Sequence, residues 1–363
     1  MARPLIAEIN LSALRHNYQL ALSQSATSTA LAIVKADAYG HGAVTVAEAL
    51  QDLAPAFGVA CIEEAEILYQ AGIQKPVILL EGFFEAEELP LIFARAYQPV
   101  LHSQWQIKLL LQALEQTPQP AKSLKLWLKI DTGMHRLGLH PDETPQAYQQ
   151  LVQHPAVASV TLITHFACAD DPFSTTSDQQ IQRFNSIQQA LQCPVSLANS
   201  AATLNLPASH QSWLRPGIML YGASPFAPGH PLGDQLRPVM TLKTRLISVR
   251  DLPAGEPVGY GGRFTTTQAT RIGVLACGYG DGYPRQAIDG TPILVNGIKY
   301  RLAGRVSMDM ITVDLGSQST AQPGDEVELW GKHLPVNDVA GYCDTISYTL
   351  LTGLLPRVKR VYL

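Results

Sequence analysis

Residues 30–42 read Ala30-Leu31-Ala32-Ile33-Val34-Lys35-Ala36-Asp37-Ala38-Tyr39-Gly40-His41-Gly42. A short apolar, β-prone run ends in a lysine, and a glycine-bearing loop with a tyrosine follows at once. That is the signature of a buried strand and its C-terminal turn. Comparable runs lie at 56–60, 77–80, 99–101, 124–130, 158–164, 195–198 and 213–218, making eight with 30–34. The intervening segments are long enough for crossover helices. The segment 62–68 has helical apolar spacing, and 178–191 places Ile181, Phe184, Ile187 and Leu191 on one face. Eight βα units in one unbroken stretch predict an α/β chain that opens with a (β/α)8, TIM-like barrel. A doubly wound sheet is the alternative should the run at 99–101 not form a strand.

Beyond about residue 235 the texture changes to short β-prone runs separated by turn dipeptides: Ala254-Gly255, Asp289-Gly290, Asn296-Gly297 and Pro323-Gly324. Asn296-Gly297, between runs at 291–295 and 298–302, predicts a two-residue hairpin. The expected organisation is therefore a barrel over residues 10–230 and a separate, mainly β domain over 231–363. The Pro/Gly-rich stretch 225–238 links them.

With 363 residues, 46% of them hydrophobic and 15% charged, the chain can bury a large core and suits two domains. A net charge of −4 and a pI near 6.2 give no basic surface for nucleic acid or anionic membrane. Cys61, Cys168, Cys193, Cys277 and Cys343 form no C-x-x-C pair and no metal-ligand spacing, so reduced thiols and no metal site are expected. The first residues meet a charge before any signal-like apolar stretch develops, and no apolar run reaches the length of a membrane span. A soluble, cytoplasmic protein is expected.

In a barrel of this type, chemistry sits at the C-terminal ends of the strands. Those ends carry Lys35, Asp131 with Arg136, His165, Asn199-Ser200, and Arg215 with Gly217. A strand-end lysine is commonly a solvated rim residue, but it can also form a Schiff base with an aldehyde cofactor. The run 124–131 alternates, leaving Lys129 and Asp131 to point into the barrel. An ion pair between them and a functional role for Lys129 are equally open readings. Arg136, flanked by glycines, suits a carboxylate held in two parallel hydrogen bonds. Ser200 as the N-cap of a helix, and Gly217 where backbone can approach an anion, form two candidate phosphate sites after the last two strands. Phosphate and lysine on one rim suggest pyridoxal 5′-phosphate. The loops around Tyr260 and Tyr279 read either as hairpin connections or as rigid presenters of a phenol.

Taken together, these residues resemble the alanine racemase family. The resemblance is carried by Val34-Lys35-Ala36-Asp37-Ala38-Tyr39-Gly40-His41-Gly42, Asp131-Thr132-Gly133-Met134-His135-Arg136-Leu137-Gly138 and Arg215-Pro216-Gly217. It continues through Val258-Gly259-Tyr260-Gly261, Gly278-Tyr279-Gly280-Asp281-Gly282 and Arg305-Val306-Ser307-Met308-Asp309. It implies an amino-acid racemase that interconverts L- and D-alanine by two-base proton transfer at Cα of a substrate held on pyridoxal phosphate. The product would supply peptidoglycan, or the reaction would serve D-alanine catabolism. By the same resemblance Lys35 carries the cofactor and is one base, and Tyr260 of the partner subunit in a homodimer is the other. Arg215 faces the pyridine nitrogen, and His165 links Arg215 to Tyr260. Tyr39, Asn199, Ser200, Gly217, Ile218 and Tyr348 complete the cofactor site. Arg136 and the Met308 backbone N–H hold the substrate carboxylate, with Asp309 and Tyr279 in support. Lys129 matches a position that can be carbamylated and then orients Arg136. Residues 1–9 are expected to pack with the β domain. A decarboxylase of the same architecture would need a pocket for a longer, charged substrate, and a non-enzymatic pyridoxal-phosphate carrier would lack the β domain.

Overall fold

The computed structural model describes residues 3–117 and 119–363. After β1 (Ile6–Ile9), which belongs to the second sheet, come nine parallel strand segments of the first. They are β2 (Thr29–Ala30), β3 (Ala32–Ile33), β4 (Phe57–Val59), β5 (Val77–Leu79) and β6 (Gln98–Leu101), then β7 (Leu124–Lys129), β8 (Val157–Ile163), β9 (Val195–Ser196) and β10 (Trp213–Leu214). β2 and β3 are two halves of one strand, interrupted at Leu31. The first half pairs with β10 through Thr29 and Trp213, and the second with β4 through Ala32 and Phe57. The first strand thus meets both its sequence neighbour and the last strand, and the eight strands close on themselves. A doubly wound sheet would leave that strand unpaired on one side, so the alternative falls. Backbone bonds from Leu31 N to Leu214 O (2.9 Å) and Ile33 N to Pro216 O (3.2 Å) continue the seam.

The run at 99–101 does form a strand, extended to Gln98 and paired on both sides with β5 and β7. The last strand is shorter than the run 213–218 suggested. Pro216 has no N–H to extend the ladder, and Ile218–Tyr221 tightens into a 3-10 turn. The helix Ile62–Gln70 buries Ile62, Ala65 and Leu68, and Thr176–Leu191 buries Ile181, Phe184 and Ile187, so both faces predicted from periodicity turn inward.

The second sheet is formed by β1 and the C-terminal strands: β11 (Met240–Leu252), β14 (Thr270–Leu275), β15 (Pro292–Val295), β16 (Ile298–Leu302), β17 (Ile311–Asp314), β18 (Glu326–Trp330) and β19 (Lys359–Tyr362). A short ribbon of β12 (Pro257–Val258) and β13 (Phe264–Thr265) stands apart. The order β14-β17-β16-β15-β18-β11 closes because β14 also pairs with β11. β1 runs antiparallel to β11 and parallel to β19. In the β15–β16 hairpin Val295 pairs with Ile298, and Asn296 and Gly297 both have positive φ (48° and 78°). That is the type I′ geometry which twists the way strands twist. One continuous hydrophobic core runs from barrel residues such as Leu31 and Phe57 to Leu242, Val313 and Leu329 of the second sheet. All five cysteines are free thiols. Among the described residues no helix is long and apolar enough to cross a membrane.

Candidate active site

Lys35 leaves β3 through Val34 and enters a turn of unusual hand. Ala36, Asp37, Ala38 and Tyr39 all lie at φ 52–53° and ψ 40–52°, one turn of left-handed helix made of non-glycine residues. Each such residue costs roughly 1–2 kcal/mol, so the surroundings must over-determine the turn. They do so from several sides. Glu64, on the helix Ile62–Gln70, accepts from Ala36 N (2.7 Å) with one carboxylate oxygen and from Ala60 N (2.8 Å) with the other. Asp37 Oδ1 accepts from Ala43 N (2.8 Å), and Arg360 Nε donates to Gly40 O (3.1 Å). A Cβ on Gly40 would lie 2.2 Å from Leu351 O, and one on Gly42 would lie 2.0 Å from the Tyr362 hydroxyl. The C-terminal helix Ser347–Thr352 and strand β19 therefore clamp the turn that presents Lys35. Glu64 and Arg360 carried no signal in the sequence, because nothing local marks a helix glutamate or a late arginine as a partner of residue 36 or 40.

The Lys35 side opens into a cavity of about 980 Å³. Eleven of the fifteen expected site residues line it: Lys35, Tyr39, Lys129, Arg136, His165, Asn199, Ser200, Arg215, Gly217, Ile218 and Tyr348. Four of them are cations (Lys35, Lys129, Arg136, Arg215), set against two lining carboxylates, Glu81 and Asp170. The excess positive charge suits an anionic occupant.

Arg215 is buried and held through both terminal nitrogens, with no partner to Nε among the described residues. It donates to Ser196 Oγ (2.7 Å), Thr164 O (2.6 Å), Leu197 O (3.1 Å) and His165 Nδ1 (3.2 Å). Burial pulls its pKa down to about 9, which still leaves it charged at neutral pH. Guanidinium can only donate, so Nδ1 of His165 must accept and any proton on the neutral ring sits on Nε2. Desolvation, then the charges of Arg215, Lys129, Arg136 and Lys35, hold the His165 pKa well below the usual histidine range. The ring is neutral. Gln180 anchors its backbone, donating to His165 O (2.9 Å) and accepting from Ala167 N (3.0 Å).

The ion pair between Lys129 and Asp131 is not formed. Asp131 closes its own turn, accepting from Gly133 N and His135 N (both 3.0 Å) and from the His135 ring (3.0 Å). A glycine-bounded loop offers backbone donors nearer than any side chain across the barrel. Lys129 is left among cations, and burial, followed by Arg215, Arg136 and Lys35, lowers its pKa to about 8. Arg136 is exposed on the same loop and makes no ion pair among the described residues.

Ser200 is not the N-cap expected of it. Asn199 caps the helix Ser200–Asn205, accepting from Ala202 N (3.0 Å), because its amide oxygen reaches the third N–H from an extended backbone. Ser200 is thereby released to turn its Oγ towards the neighbouring loop, where it accepts from Gly217 N (2.8 Å). A Cβ on Gly217 would meet the Tyr39 hydroxyl at 2.7 Å, with Ser200 Oγ at 3.8 Å. That hydroxyl has no hydrogen-bond partner among the described residues. A glycine, a serine and an unpartnered phenol thus frame a cradle that a side chain would fill. It fits a phosphate group, and it opens on the same cavity as the Lys35 amine.

Four expected residues lie elsewhere. Tyr260 (72% exposed) and Met308 (54% exposed) project from the surface of the β domain, and Asp309 and Tyr279 sit beside Met308. They form a second, ordered group. Tyr279 N donates to Ser307 O (3.0 Å) and Gly280 N to Met308 O (2.8 Å). Buried Asp281 receives Arg3 (2.7 Å) and Arg357 (2.6 Å), and Arg357 also holds Asp309 (2.7 Å). Among the described residues of one chain, nothing brings this group to the cavity.

Comparison with known proteins gives two family matches: "Alanine racemase, N-terminal domain" over residues 9–225 and "Alanine racemase, C-terminal domain" over residues 239–362. An alanine racemase of Chromohalobacter salexigens is 53% identical over 365 aligned residues, covering 100% of this chain and 98% of that protein. The biosynthetic alanine racemase of Pseudomonas aeruginosa superposes with a TM-score of 0.94 at 46% identity, over 99% of each chain. An alanine racemase structure from Bartonella henselae, described with covalently bound pyridoxal phosphate, superposes with a TM-score of 0.88 at 31% identity, over 99% of each chain.

Proposed function

Because the chain belongs to the alanine racemase family, we propose that this cavity interconverts L- and D-alanine with pyridoxal phosphate held on Lys35. The observation that supports this most is the joint opening of the Lys35 amine, the Gly217–Ser200–Tyr39 cradle and Arg136 onto one cation-rich cavity. In this reading Tyr39, Ser200, Gly217, Ile218 and Tyr348 hold the phosphate, with Asn199 fixing the helix that carries Ser200. Arg215 offers the pyridine nitrogen a hydrogen bond and no transferable proton. The cofactor, when bound, supplies the electron sink that makes the substrate Cα proton acidic.

The chain's own groups then do the rest. Lys35 takes the Cα proton from one face, and Tyr260 of the partner subunit delivers a proton to the other, the two exchanging roles in the reverse direction. A phenol has an ordinary pKa near 10 and needs help to act as a base. The Nε2–H of His165, left free by the bond from Arg215 to Nδ1, is the donor suited to stabilise its phenolate. Arg136 and the Met308 N–H of the partner loop hold the substrate carboxylate, while Asp309 and Tyr279 set that loop. Lys129, as a carbamate, would reverse its charge and clamp Arg136. Exposed Tyr260 and Met308 are thereby accounted for by a symmetric dimer with two composite sites.

Residues 10–230 act as the cofactor-binding domain and 231–363, with 1–9, as the β domain. The parallel pairing of β1 with β19 and its antiparallel pairing with β11 support this division. The five free thiols support a cytoplasmic enzyme. Chiral chromatography of products from alanine, serine, lysine and diaminopimelate is the direct test. L- and D-alanine should each run to a 1:1 mixture, since enantiomers are isoenergetic. Borohydride should trap the cofactor on Lys35. A reduced adduct mapped to another lysine, or carbon dioxide released from a charged amino acid, would overturn the reading.

A further inference from the structure

The left-handed turn that presents Lys35 is followed by a buried histidine, His41, for which the reaction has no use. His41 is fully buried, and its Nδ1 lies 2.9 Å from Tyr39 O and 3.1 Å from Ala38 O. Two carbonyl oxygens face that nitrogen, so it must carry the proton. Nε2 has no hydrogen-bond partner among the described residues and is buried from solvent. Protonating it would strand an N–H in an apolar site, so the ring is neutral with a bare Nε2. Burial is the main reason its pKa falls to about 4.

The ring also packs. It lies 4.6 Å from the ring of Tyr221, which stacks on Tyr39 at 4.8 Å, and Tyr39 in turn faces Tyr348 at 5.9 Å. The Tyr221 hydroxyl donates to Ile33 O (2.8 Å), two residues before Lys35. Lys35 is therefore gripped on both sides, by Tyr221 at residue 33 and by His41 at residues 38 and 39. Backbone N–H groups of His41 and Gly42 already satisfy Ala38 O (3.1 Å) and Asp37 O (3.0 Å), and the His41 ring supplies the donor to Tyr39 O.

We propose that His41 is a positioning residue: its Nδ1–H satisfies the Tyr39 carbonyl and closes the end of the Ala36–Tyr39 turn, holding Lys35 and the Tyr39 hydroxyl in register on the cavity wall. The proposal rests on Lys35 as the site of cofactor attachment, and the test keeps the two apart.

In the wild-type holoenzyme, 15N-detected NMR of the histidines should show one ring that stays neutral and Nδ1-protonated from pH 6 to 9, and whose signals vanish in His41→Asn. His41→Asn keeps a side-chain N–H at the place of Nδ1, whereas His41→Leu fills similar space without a donor. Cofactor affinity is read by absorbance titration, and Lys35 trapping by borohydride and peptide mapping. His41→Leu should weaken cofactor binding about ten-fold and slow trapping, with kcat falling more than KM rises, while His41→Asn should stay within about three-fold of wild type. An Nε2-protonated or titrating His41 would overturn the proposal. So would a leucine variant with wild-type affinity, or an asparagine variant as impaired as the leucine one. Should His41→Leu fail to fold, the tautomer and the asparagine variant decide between the same outcomes. Wild-type trapping on a lysine other than Lys35 would sink the functional reading and leave the tautomer measurement standing.

Discussion

Lys129 shows how one residue's surroundings constrain its chemistry. An ammonium among Lys35, Arg136 and Arg215, with a pKa of about 8, is about one-tenth neutral at pH 7. The neutral fraction can react with carbon dioxide, and the resulting carbamate would exchange repulsion from Arg136 for a bidentate pair. Lys129→Ala should therefore raise the KM for alanine about ten-fold and leave kcat within about two-fold, since the proton-transfer groups are untouched. Degassed, bicarbonate-free buffer should impose the same KM change on the wild type and none on the variant. Equal losses in kcat and KM, or indifference of the wild type to bicarbonate, would return Lys129 to a structural role. The neighbouring Asp131 carries a parallel lesson. Alternation predicts that it points into the barrel, but it lies two residues beyond β7 and the partner it takes is its own loop.

At the scale of elements, two glycines with nearly equal φ separate local from tertiary demands. Gly297 (φ 78°) closes the β15–β16 hairpin, and a Cβ there would meet nothing within 4 Å. Gly40 (φ 79°) ends the Lys35 turn, and a Cβ there would sit 2.2 Å from Leu351 O. Gly297→Ala should cost only the backbone strain, about 1 kcal/mol, lowering Tm by a few degrees with cofactor affinity unchanged. Gly40→Ala adds a clash between the turn and the helix Ser347–Thr352, which also carries Tyr348. Its cost should be at least about 3 kcal/mol, with cofactor affinity reduced in parallel. Thermal melts with and without cofactor measure both, and equal effects from the two substitutions would show that the packing against Leu351 is soft.

For the whole molecule the decisive quantity is how the two groups of site residues meet. Lys35→Ala and Tyr260→Phe should each be nearly inactive alone, because a lost acid–base group commonly costs 10²–10⁴-fold. Mixed under conditions that exchange subunits, half the dimers would carry one of each chain. Each such dimer would have both lesions in one site and none in the other. Activity should recover to about a quarter of wild type at equal mixing. No recovery despite exchange demonstrated by mass spectrometry would place both bases in one chain. The surface position of Tyr260 and Met308 would then need another explanation.

Much of this architecture was legible because it rests on local rules. Apolar β-prone runs at βα spacing marked the eight barrel strands, Asn296-Gly297 marked its hairpin, and strand-end Lys35 with glycine-flanked Arg136 and Tyr260 marked candidate chemistry. Strand alternation, turn geometry and loop chemistry are properties of a few consecutive residues, so one sequence suffices to read them. Other features could be settled only by contacts between distant segments. The closure of β2 on β10 is one, since pairing across the seam depends on strand tilt around the whole barrel. The left-handed turn is another: locally disfavoured, it persists because Glu64, His41 and the C-terminal Leu351, Arg360 and Tyr362 hold it. The cap role fell to Asn199 and not Ser200 because the Asn199 amide oxygen reaches Ala202 N, while Ser200 Oγ reaches Gly217 N. Sequence determined which groups the chain brings to its chemistry; the tertiary structure decided their partners, because hydrogen bonds and desolvation depend on distances that only the packed fold sets.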